Sequence, residues 1–305
     1  MRPGPDPLFR CRLAVLAAGV LWSTGGVFIK LLTSLPGWEV STMGITAYRS
    51  LAAALLLALP ALRRAPPTAR DLLPSVVLYT LLLGLYVAST QGTSAANAIF
   101  LQYTAPLYAL ALGPWLFREP FHRADLGAMA GAMAGIAILF AGNFQGGERL
   151  PLALGVGSGL MFGLFLLWLR RLRKTDPVAL TAWNNGGVAV LALGFLAVTA
   201  SPDLHLPVAA VGNGSARLAL LLLFAMGAVQ IAVPYVLFSL GLRRVPAVEA
   251  SLIALVEPVL NPVWVLFAVG EAPTPATLVG GAVIVLTLAL RYTLFRPTNP
   301  TSEAD

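Results

Sequence analysis

Charge is scarce in this sequence: 11% of its 305 residues are Asp, Glu, Lys or Arg, against about 25% in an ordinary soluble domain. That is too little to cover a water-facing surface, and a soluble fold is excluded. Cysteine is scarcer still. Cys11 stands alone, which rules out an intrachain disulfide and a thiolate metal cluster. The two histidines, His122 and His205, fall outside the apolar runs, so buried zinc or haem chemistry lacks its usual ligands and neither metal nor cofactor is expected. No Gly-rich strand–turn–helix phosphate motif is evident, which argues against ATP coupling within the chain. Apolar residues dominate, at 58% of the chain, with a mean hydropathy of +0.81. The net charge of +7 and pI near 10.1 could suggest a nucleic-acid partner. The basic residues lie between apolar runs, however, where they describe membrane topology, and no nucleic acid is expected.

A spanning helix needs about 20 apolar residues at about 1.5 Å each. That ruler gives ten spans, at 12–32, 45–62, 73–90, 95–116, 124–142, 152–170, 178–200, 218–241, 246–268 and 274–292. Met1–Gly19 imitates a signal peptide, but its apolar run continues to Leu32 and many spans follow. The narrowest break is Ser89–Ser94, where Gln91, Gly92 and Thr93 suit a tight polar turn. Basic residues cluster before the first span (Arg2, Arg10, Arg12) and after the second (Arg63, Arg64, Arg70). They recur after the fourth (Arg118, Arg123), the sixth (Arg170, Arg171, Arg173, Lys174), the eighth (Arg243, Arg244) and the tenth (Arg291, Arg296). Ten spans put 16 of the 20 basic residues on one side, so both termini are expected in the cytoplasm. The fold class is all-α integral membrane.

The chain also resembles itself at an offset of 152 positions, which lays Ala98, Pro106 and Glu119 on Ala250, Pro258 and Glu271. Both windows start with small residues, reach a proline in mid-span and close on an acidic residue and then a proline, Glu119-Pro120 and Glu271-Ala272-Pro273. Five spans is an odd number, so the second half must run opposite to the first. Two inverted five-helix repeats are predicted, 12–142 and 152–293, with a short cytoplasmic tail at 294–305. Inverted repeats recur in secondary transporters, with the substrate site near the midplane at the repeat interface.

Several segments resemble the drug/metabolite transporter superfamily, EamA type. They are Leu21–Lys30 (LWSTGGVFIK) in the first span, Tyr48-Arg49-Ser50-Leu51 opening the second, and the units Thr104-Ala105-Pro106 to Glu119-Pro120 and Glu257-Pro258 to Gly270-Glu271. The resemblance covers about 12–293. Ala105 stands in the first half where the second has Glu257. The resemblance implies carriage of small metabolites, amino acids or drugs across a bacterial cytoplasmic (inner) membrane, often outward. It does not supply the substrate.

Glu257 is the first candidate for a substrate-binding residue. It lies 11 residues beyond Pro246, about 16 Å deep and so about the midplane. An acidic group there costs about 2.5–3.5 kcal/mol on insertion scales and marks a functional site by default. The bland alternative is a protonated glutamic acid tied to a neighbouring helix. Pro258 and Pro262 each leave an earlier carbonyl free, as in broken helices that line cavities. Asn261 and Trp264, at i+4 and i+7 from Glu257, share its helical face; they bind substrate or glue helices. Gln230, about 18 Å into the eighth span, has Pro234 and Tyr235 after it. Gln102 and Tyr103 precede Pro106 as the first half's counterpart, and Trp22 either stacks on a substrate or packs. Trp183, Asn184 and Asn185 form a gate or, more blandly, a helix cap. Lys30 and Arg49 read as snorkelling residues near the outer ends of their spans, with Glu39 within reach of a salt bridge. Glu249 reads as an interfacial ion-pair partner for Arg243 and Arg244. Gly127, Gly131 and Gly135 form a small-residue face that packs within the fold or between protomers of a homodimer. Ser201–Ala216 reads as a flexible polar loop.

These residues point to an alternating-access carrier of a small organic solute, in which Glu257 contacts a cationic substrate group or exchanges a proton. A membrane-embedded lipid-modifying enzyme would need a nucleophile, base or metal set at one depth, and Glu257 has no intramembrane His, Asp or Cys beside it. A channel would want rings of polar residues, and the two halves do not repeat the acidic one.

Overall fold

The computed structural model describes residues 7–117, 123–143, 148–172, 174–241, 244–245, 250 and 253–294. These are overwhelmingly helical, with no strand among the described residues. Among the described residues, six helices are long and apolar enough to cross a membrane, and three shorter apolar helices accompany them. In chain order the helices are α1 Pro7–Trp22, α2 Gly25–Thr33, α3 Thr42–Leu62, α4 Ala69–Gly92, α5 Ala95–Gln102, α6 Ala105–Phe117 and α7 Arg123–Asn143. They continue with α8 Arg149–Arg171, α9 Pro177–Val198, α10 Leu206–Gly212, α11 Gly214–Met226, a π-turn at Gly227–Ala232, α12 Val233–Gly241, α13 Val256–Val269 and α14 Pro275–Leu294. Helix falls in each of the ten apolar segments. Glu119, Glu249, Arg243 and the tail from 295 lie outside the described residues.

Lipid cannot satisfy the free amides of a helix start, and side chains do so here. The Ser41 hydroxyl accepts from Gly44 N, Thr68 from Asp71 N and Ser94 from Asn97 N; Asp176 accepts from Val178 N and Ala179 N. The tight turn expected at 89–94 is present, with α4 ending at Gly92 and Ser94 capping α5. The cap of α9 is Asp176, so Asn184 and Asn185 are not caps. They lie inside α9, buried, and Asn185 Nδ2 donates back to the Thr181 carbonyl.

The first and fourth apolar segments are broken in mid-course. α1 gives way to α2 at Ser23–Thr24, and α5 to α6 at Tyr103–Thr104. In the ninth, helix at 253–254 is interrupted at Leu255 before α13 begins. Leu255 and Tyr103 are related by the same offset of 152 positions that aligns the two halves. Neither break lies at a proline itself. Pro106 and Pro258 stand in the first turns of α6 and α13, where a missing amide proton removes no bond within those helices, only the one that would carry the helix back across the break.

Packing runs between the sequence halves. α3 lies along α9 and α7 along α14; α4 packs on α8 and α1 on α12; α8 also meets α5 and α6, while α13 meets α1 and α2. The glycine face of α7 is used within the fold. A Cβ on Gly135 would stand 2.7 Å from the Gly280 carbonyl oxygen, and one on Gly131 2.6 Å from Thr287 Oγ1, while Gly127 faces open space. Large apolar side chains such as Trp115 (81% exposed), Val198 (88%) and Phe267 (80%) point outward, a surface suited to acyl chains and not to water.

The two ends of the bundle differ. One carries Arg64, paired with Asp176 at 3.0 Å, and Arg171, 3.6 Å from Asp71; this is the basic end. The other is a polar latch. Lys30 Nζ lies 2.7 Å from Glu271 Oε2 and donates to the Thr93 carbonyl at 2.7 Å, and Glu271 Oε1 accepts from Ala95 N at 2.8 Å. Lys30 therefore does not merely snorkel, and its partner is Glu271, not Glu39. Nor is Ser201–Ala216 a loose loop. It folds as a 3-10 turn at Pro202–His205 followed by α10. Asp203, 2% exposed, accepts from the Ser41 amide at 2.9 Å and from its hydroxyl, while Tyr48 donates to the Asp203 carbonyl at 2.7 Å. Gly44 leaves room for that carboxylate.

The α7–α14 seam gives a first test. Gly135→Leu should destabilise the folded protein by about 1–3 kcal/mol or more through overpacking, read as a lower unfolding midpoint in detergent by size-exclusion fluorescence. Gly127→Leu on the open turn should leave that midpoint unchanged.

Candidate functional site

The breaks in the fourth and ninth segments meet at one point. Tyr103, at the end of α5, reaches across to donate to Glu257 Oε2 at 2.6 Å, and its hydroxyl also lies 3.1 Å from the Ala254 carbonyl. That carbonyl is the one Pro258 leaves free, since a proline at i cannot bond to the carbonyl of i−4. One hydroxyl proton cannot serve both acceptors at once.

Around this junction lies a cavity of about 280 Å³, at the small end of the range for ligand pockets. It reaches from Arg49, Gln102 and Gln230 past Glu257 towards Leu169 and Phe238, which lie near the basic-end termini of α8 and α12. Aromatic pairs wall it. Trp22 meets Tyr235 edge-on at 5.3 Å and Phe238 at 5.1 Å, and Tyr79 stacks on Phe165 at 5.0 Å. Such pairs are rigid, apolar surfaces with a polar tip on each tyrosine.

The π-turn sets one wall. Gln230 and Tyr235 are five residues apart, about 140° round an ordinary α-helix, but a π-turn has i→i+5 bonding and brings both onto the cavity. Gly227 opens the same turn and abuts the Arg49 carbonyl and Ala52, so α3 approaches with nothing between. Across that contact Arg49 Nη1 faces Gln230 Oε1 at 3.4 Å. The Gln230 amide also seats against Gly25, at the start of α2.

Five of the seven residues singled out from sequence line the cavity: Glu257, Gln230, Gln102, Tyr103 and Trp22. Gln102 is also anchored, donating from Nε2 to Ser158 Oγ at 2.9 Å. Asn261 and Trp264 do not line it. Asn261 is fully buried and donates to the Ser23 carbonyl at 3.0 Å, and Trp264 Nε1 donates to Ser23 Oγ at 2.8 Å. Gly26 leaves room for the Asn261 amide. Both residues therefore hold the break in the first segment together, the gluing alternative.

Arg49 corrects the sequence reading. It is 1% exposed, seven residues into α3, and it faces the cavity instead of snorkelling to an interface. The early start of α3 at Thr42 puts it about 10 Å down the helix, and a span drawn from 45 hides this. Tyr79, Tyr86, Phe162 and Phe165 were also missed; single aromatics in apolar helices carry no mark of the face they occupy.

The ties at Ser23 predict that Asn261→Ala lowers stability by about 1–3 kcal/mol, the cost of a buried carbonyl left unpaired. Transport per folded molecule should survive. A normal unfolding midpoint with lost transport would instead make Asn261 a substrate ligand.

Comparison with known proteins agrees with this architecture. The model of the EamA-like transporter family matches the chain twice, over residues 10–141 and 149–293. An uncharacterized transporter of Archaeoglobus fulgidus is 30% identical over 284 residues, spanning 91% of this chain and 96% of its own. One solved crystal structure is similar with a TM-score of 0.64 at 19% identity, covering 94% of this chain and 99% of that one, a likeness of fold alone. Matched by the family model over both halves, and by a relative along nearly its whole length, this multi-pass membrane chain belongs to the EamA-like transporter family of the drug/metabolite transporter superfamily.

Proposed function

We propose that the protein is an alternating-access secondary carrier that moves a small organic solute outward across the cytoplasmic membrane. In this reading the chain crosses ten times, as inverted five-helix repeats at 12–142 and 152–293. Both termini, with the tail at 294–305, are cytoplasmic. The doubled family match supports the division, as does packing that maps onto itself when the halves are exchanged: α4 on α8 becomes α12 on α1. The carrying observation is the cavity at the meeting point of two matched helix breaks, where inverted-repeat carriers hold their substrates. If the basic end is cytoplasmic, as the positive-inside rule has it, the cavity extends towards the cytoplasm while Lys30, Glu271 and Asp203 latch the far side. That is an inward-facing state, ready to load solute from the cell.

Glu257 offers a route to proton coupling. Ionised, it accepts from Tyr103. Protonated, it donates to Tyr103 and releases that hydroxyl's proton to the Ala254 carbonyl. Proton occupancy would thus change the tie between the two broken helices, the elements that must move. A proton is therefore the coupling ion in this reading.

Counterflow in proteoliposomes, with a pooled panel of amino acids, nucleosides and cationic dyes, tests the carrier. Glu257→Gln should reduce exchange at least about tenfold in protein that still folds, the scale of one lost charge-assisted bond. Unchanged exchange would reduce Glu257 to a packing group and move the search to Gln230, Gln102 and Tyr103. Transport indifferent to an imposed pH gradient would remove the proton.

The latch is tested separately. In a Cys11→Ser background with Leu82→Cys in the cavity wall, an impermeant maleimide added outside should label slowly. Glu271→Gln should speed that labelling about fivefold, the population shift that about 1 kcal/mol of ion pair supports. An unaltered rate would mean that this pair does not hold the far side shut.

A further inference from the structure

Arg49 is the least satisfied charge in the cavity. Its side chain is 1% exposed, its one hydrogen bond is the 3.4 Å contact to Gln230, and its Nε and Nη2 have no partner. No carboxylate lies within ion-pair distance among the described residues; the ion pairs formed there by Lys30, Arg64 and Arg171 are all elsewhere. A buried charge without a partner is strongly destabilising. A residue that only filled space here would be better as a methionine or leucine. The Tyr86 hydroxyl, on the same cavity, is likewise buried and has no acceptor at hydrogen-bond geometry, although the Thr90 and Asn261 side chains stand beside it. Three donors without an acceptor therefore sit on two side chains that line one hollow, two of them on a planar fork whose geometry matches a carboxylate.

We propose that the solute is an organic carboxylate, with its carboxylate seated on the Arg49 fork beside Tyr86 and Gln230. Its apolar body lies along the walls made by Trp22 with Phe238 and by Tyr79 with Phe165. The assignment deepens the transport reading and rests on it. The cavity, at about 280 Å³, fits a body of one ring or a short chain, not a large conjugate. The charge at Arg49 and the carboxyl at Glu257 both lie within electrostatic reach of Tyr86 and Tyr235. With Glu257 protonated, a carboxylate bound at Arg49 would neutralise the guanidinium, the charge for which the protein supplies no ion-pair partner among the described residues.

Binding to purified full-length protein in detergent, read by shift of the unfolding midpoint, tests this without transport. The probes are 3-phenylpropionate and phenylalanine, each against its methyl ester, with phenethylamine as the amine control. The two acids should bind the wild-type protein about tenfold to a hundredfold more tightly than the esters or the amine, the range for bonds to a charged group. Arg49→Lys keeps the charge but loses the fork, and it should erase most of that preference. Equal binding of acid and ester, no saturable binding of either acid, or an unchanged preference in Arg49→Lys would overturn the assignment. If the acids bind through Arg49 but show no counterflow, the carboxylate site stands and the carrier reading fails.

Discussion

Hydrocarbon supplies no hydrogen bonds, so each interruption of a helix within a membrane must be answered by another part of the same protein. Much of this structure follows from that requirement. The break at Ser23–Thr24 is met by Asn261 and Trp264 from α13, and the carbonyl freed at Ala254 is met by the Tyr103 hydroxyl from α5. The glycines beside the first break leave space for the Gln230 and Asn261 amides. Every one of these ties joins residues far apart in sequence. The interruptions are therefore what stitches the two halves together, and the cavity forms where the stitching leaves room.

The halves are alike in layout but not in chemistry. Ala105 and Glu257 occupy matching positions after matching breaks, so one half supplies a carboxyl and the other the tyrosine that holds it. Arg49 adds a cation from a third element, set by the glycine contact between α3 and the π-turn. The site is thus assembled from pieces that neither half of the chain contains alone. The same asymmetry marks the ends of the bundle: buried Asp203 and partly buried Glu271 with hydroxyls and Lys30 at one, and Arg64 and Arg171, paired with Asp176 and Asp71, at the other.

Much of the architecture could be read from the sequence, because burial in lipid writes long apolar runs and a basic asymmetry that survive uncertainty about any one boundary. The helices fall where those runs do, and the cavity gathers Glu257, Gln230, Gln102, Tyr103 and Trp22 as polar or aromatic residues at depth in apolar spans. Other features were not readable. Arg49 reads as an interfacial residue in the sequence because a three-residue difference in where α3 begins decides between snorkelling and burial. The π-turn has no signature in residue type, yet it determines that Gln230 and Tyr235 face the same way. Asn261 and Trp264 share a helical turn with Glu257, but spacing could not say that their polar atoms turn to Ser23. Ser201–Ala216 looked loose because polar composition was all that could be seen; its order comes from Asp203, whose partners lie on α3.

The buried guanidinium also bears on how the molecule is made. Arg49 enters the bilayer with α3, but Gln230, its one hydrogen-bonding partner, is translated 181 residues later. At about 5–20 residues per second, the ribosome needs about 10–40 s to deliver it. For that interval an arginine that costs about 2.5–3.5 kcal/mol to insert must wait in the membrane with no mate, and Tyr103 waits nearly as long for Glu257. The amino-terminal half by itself therefore lacks the partners of both Arg49 and Tyr103. Biogenesis of this protein therefore includes a late step in which the second half arrives and gives Arg49 and Tyr103 their hydrogen-bonding partners.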